Sequence, residues 1–299
     1  MKRPALLVFA LLACVASLYG QNYKFTSLDY PGGDLTTGRG INDSGDIVGA
    51  YRVVPPRHAL LIKSGQYIPI APDSILGLDY SEATNINNRG HLTGQMADDN
   101  GLFHGFLVRD GQVTILDYPG ASETFALGIS DTDIVAGYWD ILDQDFNPVE
   151  IHGFTWQNGV FTRFDLPGAA VTAIFGINAR GDLAGVWQSD INSDVEHGFA
   201  CPKTTPCYSF DAPVPGTFLT QADEINAQGQ VVGVYVGTDF VWHAFLKDGT
   251  KFTTLDFPGS TGTGAYGINS AGQIVGKYFA ADGSTHGFLA EPTVTGKPQ

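Results

Sequence analysis

Short runs of apolar residues, separated by glycines and polar turn residues, recur along the chain after its first twenty positions. A clear copy of the pattern spans residues 252–289. Apolar positions within it predict strands at residues 265–269, 273–278 and 286–289, and residues 252–256 end the preceding copy with a fourth strand. No helical periodicity of useful length occurs after residue 20, so the pattern predicts an all-β chain.

Three landmark residues identify six copies of this pattern, spaced 43 to 48 residues apart. A histidine recurs at His58, His104, His152, His197, His243 and His286. An asparagine recurs at Asn42, Asn87, Asn178, Asn226 and Asn269, with Ser130 in the third copy. An aspartate recurs at Asp29, Asp117, Asp165, Asp211 and Asp256, with Ala71 in the second copy. The nearby Leu78-Asp79-Tyr80 is out of register and is predicted to be loop.

A tight turn follows the first strand of each copy. It reads Asn42-Asp43-Ser44-Gly45 in the first copy, and four other copies keep the same Asn and Gly positions. The last residue of such a turn adopts the left-handed conformation, which glycine reaches without a Cβ clash. The third copy has Asp133 there, and aspartate is one of the few residues that tolerate this conformation.

Six four-stranded units of this length predict a six-bladed β-propeller. The first strand, at residues 23–30, is a fourth strand without predecessors, and the last, at 286–289, is a third strand without a successor. We therefore expect the N-terminal strand to complete the last unit and close the ring, which removes open sheet edges. The repeat domain is expected to cover residues 21–290, followed by a polar tail at 291–299.

Residues 1–20 have the basic start and apolar run of a signal peptide, too short to span a bilayer. The protein is therefore expected to be secreted, periplasmic or at the cell surface. A lipid anchor at Cys14 is an alternative, because Leu11-Leu12-Ala13-Cys14 resembles a lipoprotein cleavage site. Cys201 and Cys207 lie at a predicted hairpin and are expected to form a disulfide, with a metal site as the competing interpretation.

The chain is acidic, with a formal net charge of −15. Such a chain repels nucleic acid and anionic membranes, so neither is an expected partner. The six recurrent histidines are interpreted as scaffold, since a catalytic histidine is needed once. Each is expected to bond either a turn backbone or the recurrent aspartate, and the five recurrent aspartates are interpreted as structural too.

The recurring His-Gly-Phe step, as at His104-Gly-Phe106 and His286-Gly-Phe288, resembles the HAF-type extracellular repeat. The Gly-Ile-Asn-x-x-Gly-x-Ile-Val-Gly pattern, seen at residues 267–276, resembles it as well. The resemblance covers essentially the whole chain after residue 20. It implies a bacterial surface or secreted protein of unassigned activity.

Function is expected where the copies differ, in the loops between second and third strands and between fourth and first strands. Two of these loops alternate oxygen-bearing side chains as calcium loops do, without the spacing of an EF-hand, and the alternative is a solvated acidic surface. The candidate calcium ligands are Asp143, Asp145, Asn147, Asp190, Asn192, Asp194 and Glu196. Trp139 and Trp187 precede these loops and are candidate sugar-stacking residues, with core packing as the alternative.

No nucleophile elbow, phosphate loop or paired-histidine zinc motif is present in the sequence. We therefore expect a monomeric, non-enzymatic module that binds carbohydrate or a protein through its variable loops and needs no cofactor. The alternatives are an extracytoplasmic polysaccharide hydrolase or lyase, and a structural component of the cell envelope.

Overall fold

The computed structural model describes residues 23–70 and 80–293. Residues 1–22, 71–79 and 294–299 lie outside these ranges, and with them the predicted signal peptide, Cys14, Ala71, Leu78, Asp79 and most of the polar tail. Within them all regular secondary structure is β, as predicted, and no helix is long and apolar enough to cross a membrane. The strands are β1 (Tyr23–Leu28), β2 (Leu35–Ile41), β3 (Ile47–Arg52), β4 (His58–Lys63), β5 (Gln66–Pro69), β6 (Tyr80–Ile86), β7 (Leu92–Ala97), β8 (Phe103–Arg109), β9 (Gln112–Leu116), β10 (Glu123–Ile129), β11 (Val135–Leu142), β12 (Pro148–Gln157), β13 (Val160–Phe164), β14 (Val171–Ile177), β15 (Leu183–Gln188), β16 (His197–Cys201), β17 (Tyr208–Phe210), β18 (Leu219–Ile225), β19 (Val231–Val236), β20 (Trp242–Asp248), β21 (Lys251–Thr254), β22 (Gly262–Ile268), β23 (Ile274–Phe279) and β24 (Thr285–Pro292).

Consecutive strands pair antiparallel in groups of four, which we call units. Unit 1 contains β2 to β5, unit 2 β6 to β9, unit 3 β10 to β13, unit 4 β14 to β17 and unit 5 β18 to β21. Unit 6 contains β22 to β24, and its outer strand is β1, which pairs with β24 from Tyr23 opposite Pro292 to Leu28 opposite Gly287. The two ends of the repeat domain are thus held in one sheet, as the sequence predicts.

The hydrophobic core lies between the faces of neighbouring units. Five phenylalanines of the His-Gly-Phe and His-Ala-Phe steps are fully buried at the third strands: Phe106, Phe154, Phe199, Phe245 and Phe288. Each packs beside a glycine of the second strand. A Cβ added to Gly94 would lie 2.2 Å from both the Phe106 ring and the Glu82 carbonyl oxygen. The glycine and the phenylalanine of the repeat are therefore parts of one packing arrangement.

The turns after the first strands have the predicted conformation. Gly45, Gly90, Gly181, Gly229 and Gly272 all have φ between 75° and 84°, and Asp133 has φ 57°. The preceding asparagine uses its Oδ1 to accept backbone N–H groups of its own turn, as Asn269 does from Ala271 and Gln273. Its Nδ2 donates to the turn of the next unit.

These asparagine bonds form what we call the asparagine belt. In each bond an asparagine Nδ2 donates to a backbone carbonyl oxygen of the next unit, at 2.9 to 3.2 Å. The donor and acceptor residues are Asn42 and Asn87, Asn87 and Ser130, Asn178 and Asn226, Asn226 and Asn269, and Asn269 and Asn42. Ser130 is too short to donate to Asn178, so the belt is open at that one junction.

Five of the recurrent histidines pair with the recurrent aspartates, one of the two kinds of partner expected from the sequence. The Nδ1 atoms of His104, His152, His197, His243 and His286 lie 2.6 to 2.9 Å from the carboxylates of Asp117, Asp165, Asp211, Asp256 and Asp29. The last pair joins β24 to the residue that follows β1. One prediction is wrong in detail, because Tyr80 is the first residue of β6 and not loop.

Candidate functional site

A cavity of about 290 Å³ lies between the first strands of the units. The repeat residue before Gly-Ile-Asn supplies one side chain to the cavity from every unit. These residues are Arg39, Thr84, Leu127, Phe175, Asp223 and Tyr266. This volume is near the lower limit for small-molecule sites. The repeat therefore assembles one asymmetric site from six equivalent positions.

Asn85 and Glu224 close the end of the cavity nearest the tight turns. They replace the glycine of Gly-Ile-Asn in units 2 and 5, and the Asn85 Nδ2 donates to Glu224 Oε2. The space is narrow here, since a Cβ added to Gly40 would lie 2.7 Å from the Asn85 Cα. Burial raises the pKa of Glu224 to about 8, so it is mainly protonated at neutral pH. Asn85 also borders a second space of about 70 Å³ on the turn side.

A charged wall occupies the side of the cavity formed by units 1, 5 and 6. Arg39 donates from Nε to Glu82 Oε1 at 2.8 Å and from Nη2 to Oε2 at 3.3 Å. Burial alone would raise the pKa of Glu82, but Arg39 and Arg57 lower it to about 2, so Glu82 is ionised. The Arg39 guanidinium also lies over the Tyr266 ring at 4.4 Å.

Lys277 projects from β23 into the same wall. Its Nζ lies 5.1 Å from the ring centre of Trp242 and 5.6 Å from that of Tyr266. Among the residues that the structure describes, none forms an ion pair or hydrogen bond with this ammonium. Burial, followed by repulsion from Arg39, lowers the pKa of Lys277 to about 8.

Asp223 supplies a carboxyl group to the wall. Its Oδ2 atom is buried and has no hydrogen-bond partner among the described residues. Burial raises the pKa of Asp223 well above its usual range, although Arg39 and Lys277 oppose the shift. A ligand hydroxyl that donates to Oδ2 would satisfy this atom, whose unpaired burial is otherwise unfavourable.

An aromatic wall faces the charged one. Phe125, Leu127, Tyr138 and Phe175 line it from units 3 and 4, and the Tyr138 and Phe125 rings stack at 4.4 Å. Trp242 lies at the rim, after the loop between β19 and β20, and is 37% exposed. The cavity thus offers apolar ring faces opposite convergent hydrogen-bonding groups.

The tryptophans singled out in the sequence lie elsewhere. Trp139 is buried, with its ring stacked on Tyr118 at 4.5 Å and near His152 at 4.8 Å. Trp187 stacks on His197 and donates from Nε1 to Ser209 Oγ at 2.8 Å. Neither lines the cavity, and a binding role for either stays a prediction.

The two acidic loops are largely exposed and make local hydrogen bonds. Asp143 Oδ1 accepts from the backbone N–H groups of Asp145 and Asn147, and Asp190 Oδ1 accepts from that of Asn192. Across residues 23–70 and 80–293, no three His, Cys, Asp or Glu side chains are placed to hold a metal ion.

Further along the second loop, Asp194 is exposed. Glu196 Oε2 accepts a hydrogen bond from Nε2 of the cavity residue Gln221 at 2.7 Å. Calcium binding by the loops stays a prediction. Cys201 and Cys207 form a disulfide across the β16–β17 hairpin.

The cavity residues were not identified from the sequence, although a signal was present. The residue before Gly-Ile-Asn changes from Arg to Thr, Leu, Phe, Asp and Tyr between copies that otherwise agree. A comparison of the copies position by position therefore singles out this site within the strands, where packing usually keeps residues alike.

No family model and no curated protein matches this chain. Many solved structures are similar to it, among them the following three. A gluconolactonase from Xanthomonas campestris has a TM-score of 0.51 and 12% identity, covering 90% of this chain and 89% of its own. Aleuria aurantia lectin in complex with Fucα1-6GlcNAc has a TM-score of 0.50 and 12% identity, covering 89% of this chain and 100% of its own.

Trypanosoma rangeli sialidase has a TM-score of 0.50 and 8% identity, covering 86% of this chain and 55% of its own. These proteins include both a lectin and enzymes, and at such low identities the similarity concerns the fold alone. The chain therefore has a β-propeller-like all-β fold, built from four-stranded blades.

Proposed function

We propose that this chain is an exported six-bladed β-propeller of the HAF-repeat type, closed by β1, that binds a carbohydrate in its central cavity without cleaving it. Each unit would form one blade. The observation that carries the proposal is the cavity itself, with one end closed and an aromatic wall facing Asp223, Arg39 and Lys277.

The chemistry of these walls suits a sugar. The apolar face of a sugar ring packs against aromatic side chains, while its hydroxyl groups both donate and accept hydrogen bonds. Asp223 Oδ2 is an unpaired acceptor and Lys277 Nζ an unpaired donor among the described residues, so neighbouring hydroxyls could satisfy both. The disulfide and the apolar start of the chain support export to an oxidising compartment.

A glycan array followed by titration calorimetry tests the proposal on residues 21–299. We expect Asp223→Asn and Phe175→Ala each to weaken binding of the selected glycan by about tenfold or more, equivalent to about 1.4 kcal/mol. The matched control is Asp190→Asn, in an exposed loop, which should bind like the wild type. An array without binding, or normal binding by both cavity variants, would contradict the proposal.

A second candidate function is a glycoside hydrolase at the same cavity. The specific observation is that the pKa of Glu82 is lowered, whereas burial raises the pKa values of Asp223 and Glu224. Carboxyl groups with pKa values shifted apart are typical of the base and the acid of a glycoside hydrolase. Against it, Glu82 is fully engaged by Arg39 and Arg57. Chromatography of the selected glycan after prolonged incubation decides, since products absent with Asp223→Asn would favour the enzyme.

A further inference from the structure

Lys277 is the cation of the cavity that has no partner among the described residues. The two arginines nearby share one carboxylate, because Glu82 accepts from both Arg39 and Arg57. Lys277 is instead surrounded by the rings of Trp242, Tyr266 and Phe279, all within 5.6 Å. Aromatic faces attract a cation but do not neutralise its charge.

Arg39 also has hydrogen-bonding capacity left. It uses Nε and Nη2 for Glu82, so Nη1 makes no bond to any residue that the structure describes. The Arg39 guanidinium and the Lys277 ammonium both lie within 6 Å of the Tyr266 ring centre and repel each other. An anion between them would accept from both and relieve the repulsion.

The other carboxyl groups do not supply that anion. Glu224 is bound to Asn85 at the closed end, and Asp223 makes no ion pair with Lys277. Burial also favours the neutral forms of both acids. Arg39, Arg57 and Lys277 therefore face one ionised carboxylate, that of Glu82, and the group is net positive within an acidic protein. Lys277 is the cation among them without an ion-pair partner in the described residues.

From this arrangement we infer that the bound sugar is acidic, and that its carboxylate lies between Lys277 Nζ and Arg39 Nη1. The inference rests on the proposed carbohydrate function. A carboxylate has two oxygens, so one can accept from the Lys277 ammonium and the other from the unused Nη1 of Arg39, while its negative charge offsets that of Lys277. The aromatic wall would then hold the face of the sugar ring.

The test compares sugars that differ only at C6. Calorimetry at pH 6.5 measures methyl glucuronide against methyl glucoside, and methyl galacturonide against methyl galactoside, with the 6-sulfated glucoside as a further arm. We expect one uronide to bind at least about tenfold more tightly than its neutral counterpart. In Lys277→Gln the affinities for the uronide and for its neutral counterpart should differ by no more than about twofold. Lys277→Arg should keep much of the preference for the uronide.

The matched control is Lys247→Gln. Lys247 also lies over two aromatic rings, those of Tyr208 and Phe210 at 5.0 Å, but outside the cavity, so the preference should be unchanged. Thermal melting verifies that each variant is folded. Wild-type protein that binds each pair equally, or a preference that survives Lys277→Gln, would overturn the inference and leave carbohydrate binding intact.

Tighter binding of the sulfated sugar than of either uronide would overturn the choice of a carboxylate. If neither uronide binds and the glycan array is also blank, both this inference and the proposed function fail. If the array detects only neutral glycans, the inference alone fails.

Discussion

Asn85 and Glu224 occupy a repeat position that is glycine in the other four units, and their side chains are hydrogen-bonded to each other. The pair is buried, and the carboxyl is more stable there in its protonated form. Glu82, only a short distance along the same first strand as Asn85, is equally buried but ionised, because two arginines reach it. The pKa values of these two buried carboxyl groups are thus shifted in opposite directions.

The raised pKa of Glu224 predicts a characteristic pH dependence of stability. Its folded-state pKa of about 8 lies above the ordinary glutamate value of 4.5, so its contribution to stability is full below pH 4.5 and is lost as pH rises through 8. Glu224→Gln mimics the protonated form and removes this loss. We expect the variant to match the wild type near pH 4.5 and to be more stable by about 2–4 kcal/mol near pH 8.

Urea unfolding at half-unit pH steps measures this difference. Asp140 and Asp223 also have raised pKa values and contribute to the slope of both proteins, so the difference between the two curves isolates Glu224. Exposed Glu150→Gln is the control and should not change the slope. A constant difference between pH 4.5 and 8 would show that Glu224 does not titrate there.

The lowered pKa of Lys277 predicts that this side chain reduces the stability of the folded protein. Its folded-state pKa of about 8 is below the ordinary lysine value of 10.5, so its charge destabilises the folded state at neutral pH. Lys277→Met should raise the free energy of unfolding at pH 7 by about 1–3 kcal/mol, and this gain should shrink between pH 8 and 10.5. Chemical unfolding at pH 7 and 10 is the measurement, and a variant that is less stable at pH 7 contradicts the expectation.

At the scale of the element, the tight turn both ends the first strand and joins neighbouring units. The asparagine belt explains why the repeat keeps asparagine, since its Oδ1 caps its own turn and its Nδ2 reaches the next one. Ser130 keeps the first role, accepting from the Ile134 N–H through Oγ, but lacks the amide needed for the second.

Ser130→Asn should therefore complete the belt with a bond to the Asn178 carbonyl. One added buried hydrogen bond predicts a gain of about 0.5–1.5 kcal/mol in the free energy of unfolding. The reverse change, Asn269→Ser, removes the equivalent bond to Asn42 and should cost a similar amount. Denaturant unfolding measures both, and a loss of stability in Ser130→Asn would mean that the junction between units 3 and 4 has no space for the amide.

Most of the elements could be predicted because each depends on local chemistry repeated in every copy. The left-handed turn position, including Asp133, follows from the sequence, and so do the histidine and aspartate pairs. The first residue of β6 was missed, because the second copy lacks the recurrent aspartate. Leu78-Asp79-Tyr80 resembles the Leu-Asp-Tyr step of the other copies but is out of register, so Tyr80 was predicted to be loop.

The cavity could not be predicted in the same way. Arg39, Asp223 and Lys277 lie far apart in the chain, and only the arrangement of the units brings them together. The sequence indicated variable loops as the site of function because loops usually carry variation. Variation within the first strands has a different cause, since the side chains at the position before Gly-Ile-Asn line the cavity.

At the scale of the molecule, β1 joins the two ends of the repeat domain. This strand supplies the outer edge of unit 6, and Asp29, just after it, accepts from His286 on β24. Deletion of residues 23–31 should expose the edge of β24, lower the melting temperature by about ten degrees or more and cause aggregation. Deletion of residues 294–299 is the control, and scanning calorimetry with light scattering is the measurement.

An identical melting temperature and no aggregation after the N-terminal deletion would contradict closure by β1. The milder variant Asp29→Asn tests the histidine pair alone. Because this pair is partly exposed, its loss should lower stability by only about 1 kcal/mol or less.

The residue before Gly-Ile-Asn contributes one side chain to the cavity from each unit, while the turns and buried phenylalanines around it hold the scaffold. The residues that line the cavity are thereby different from those that hold the scaffold together. Exchange of a whole repeat replaces one of the six residues at this position and leaves the other five in place. Duplication, shuffling or recombination of repeats could therefore change the ligand in discrete steps, each on a scaffold that already folds.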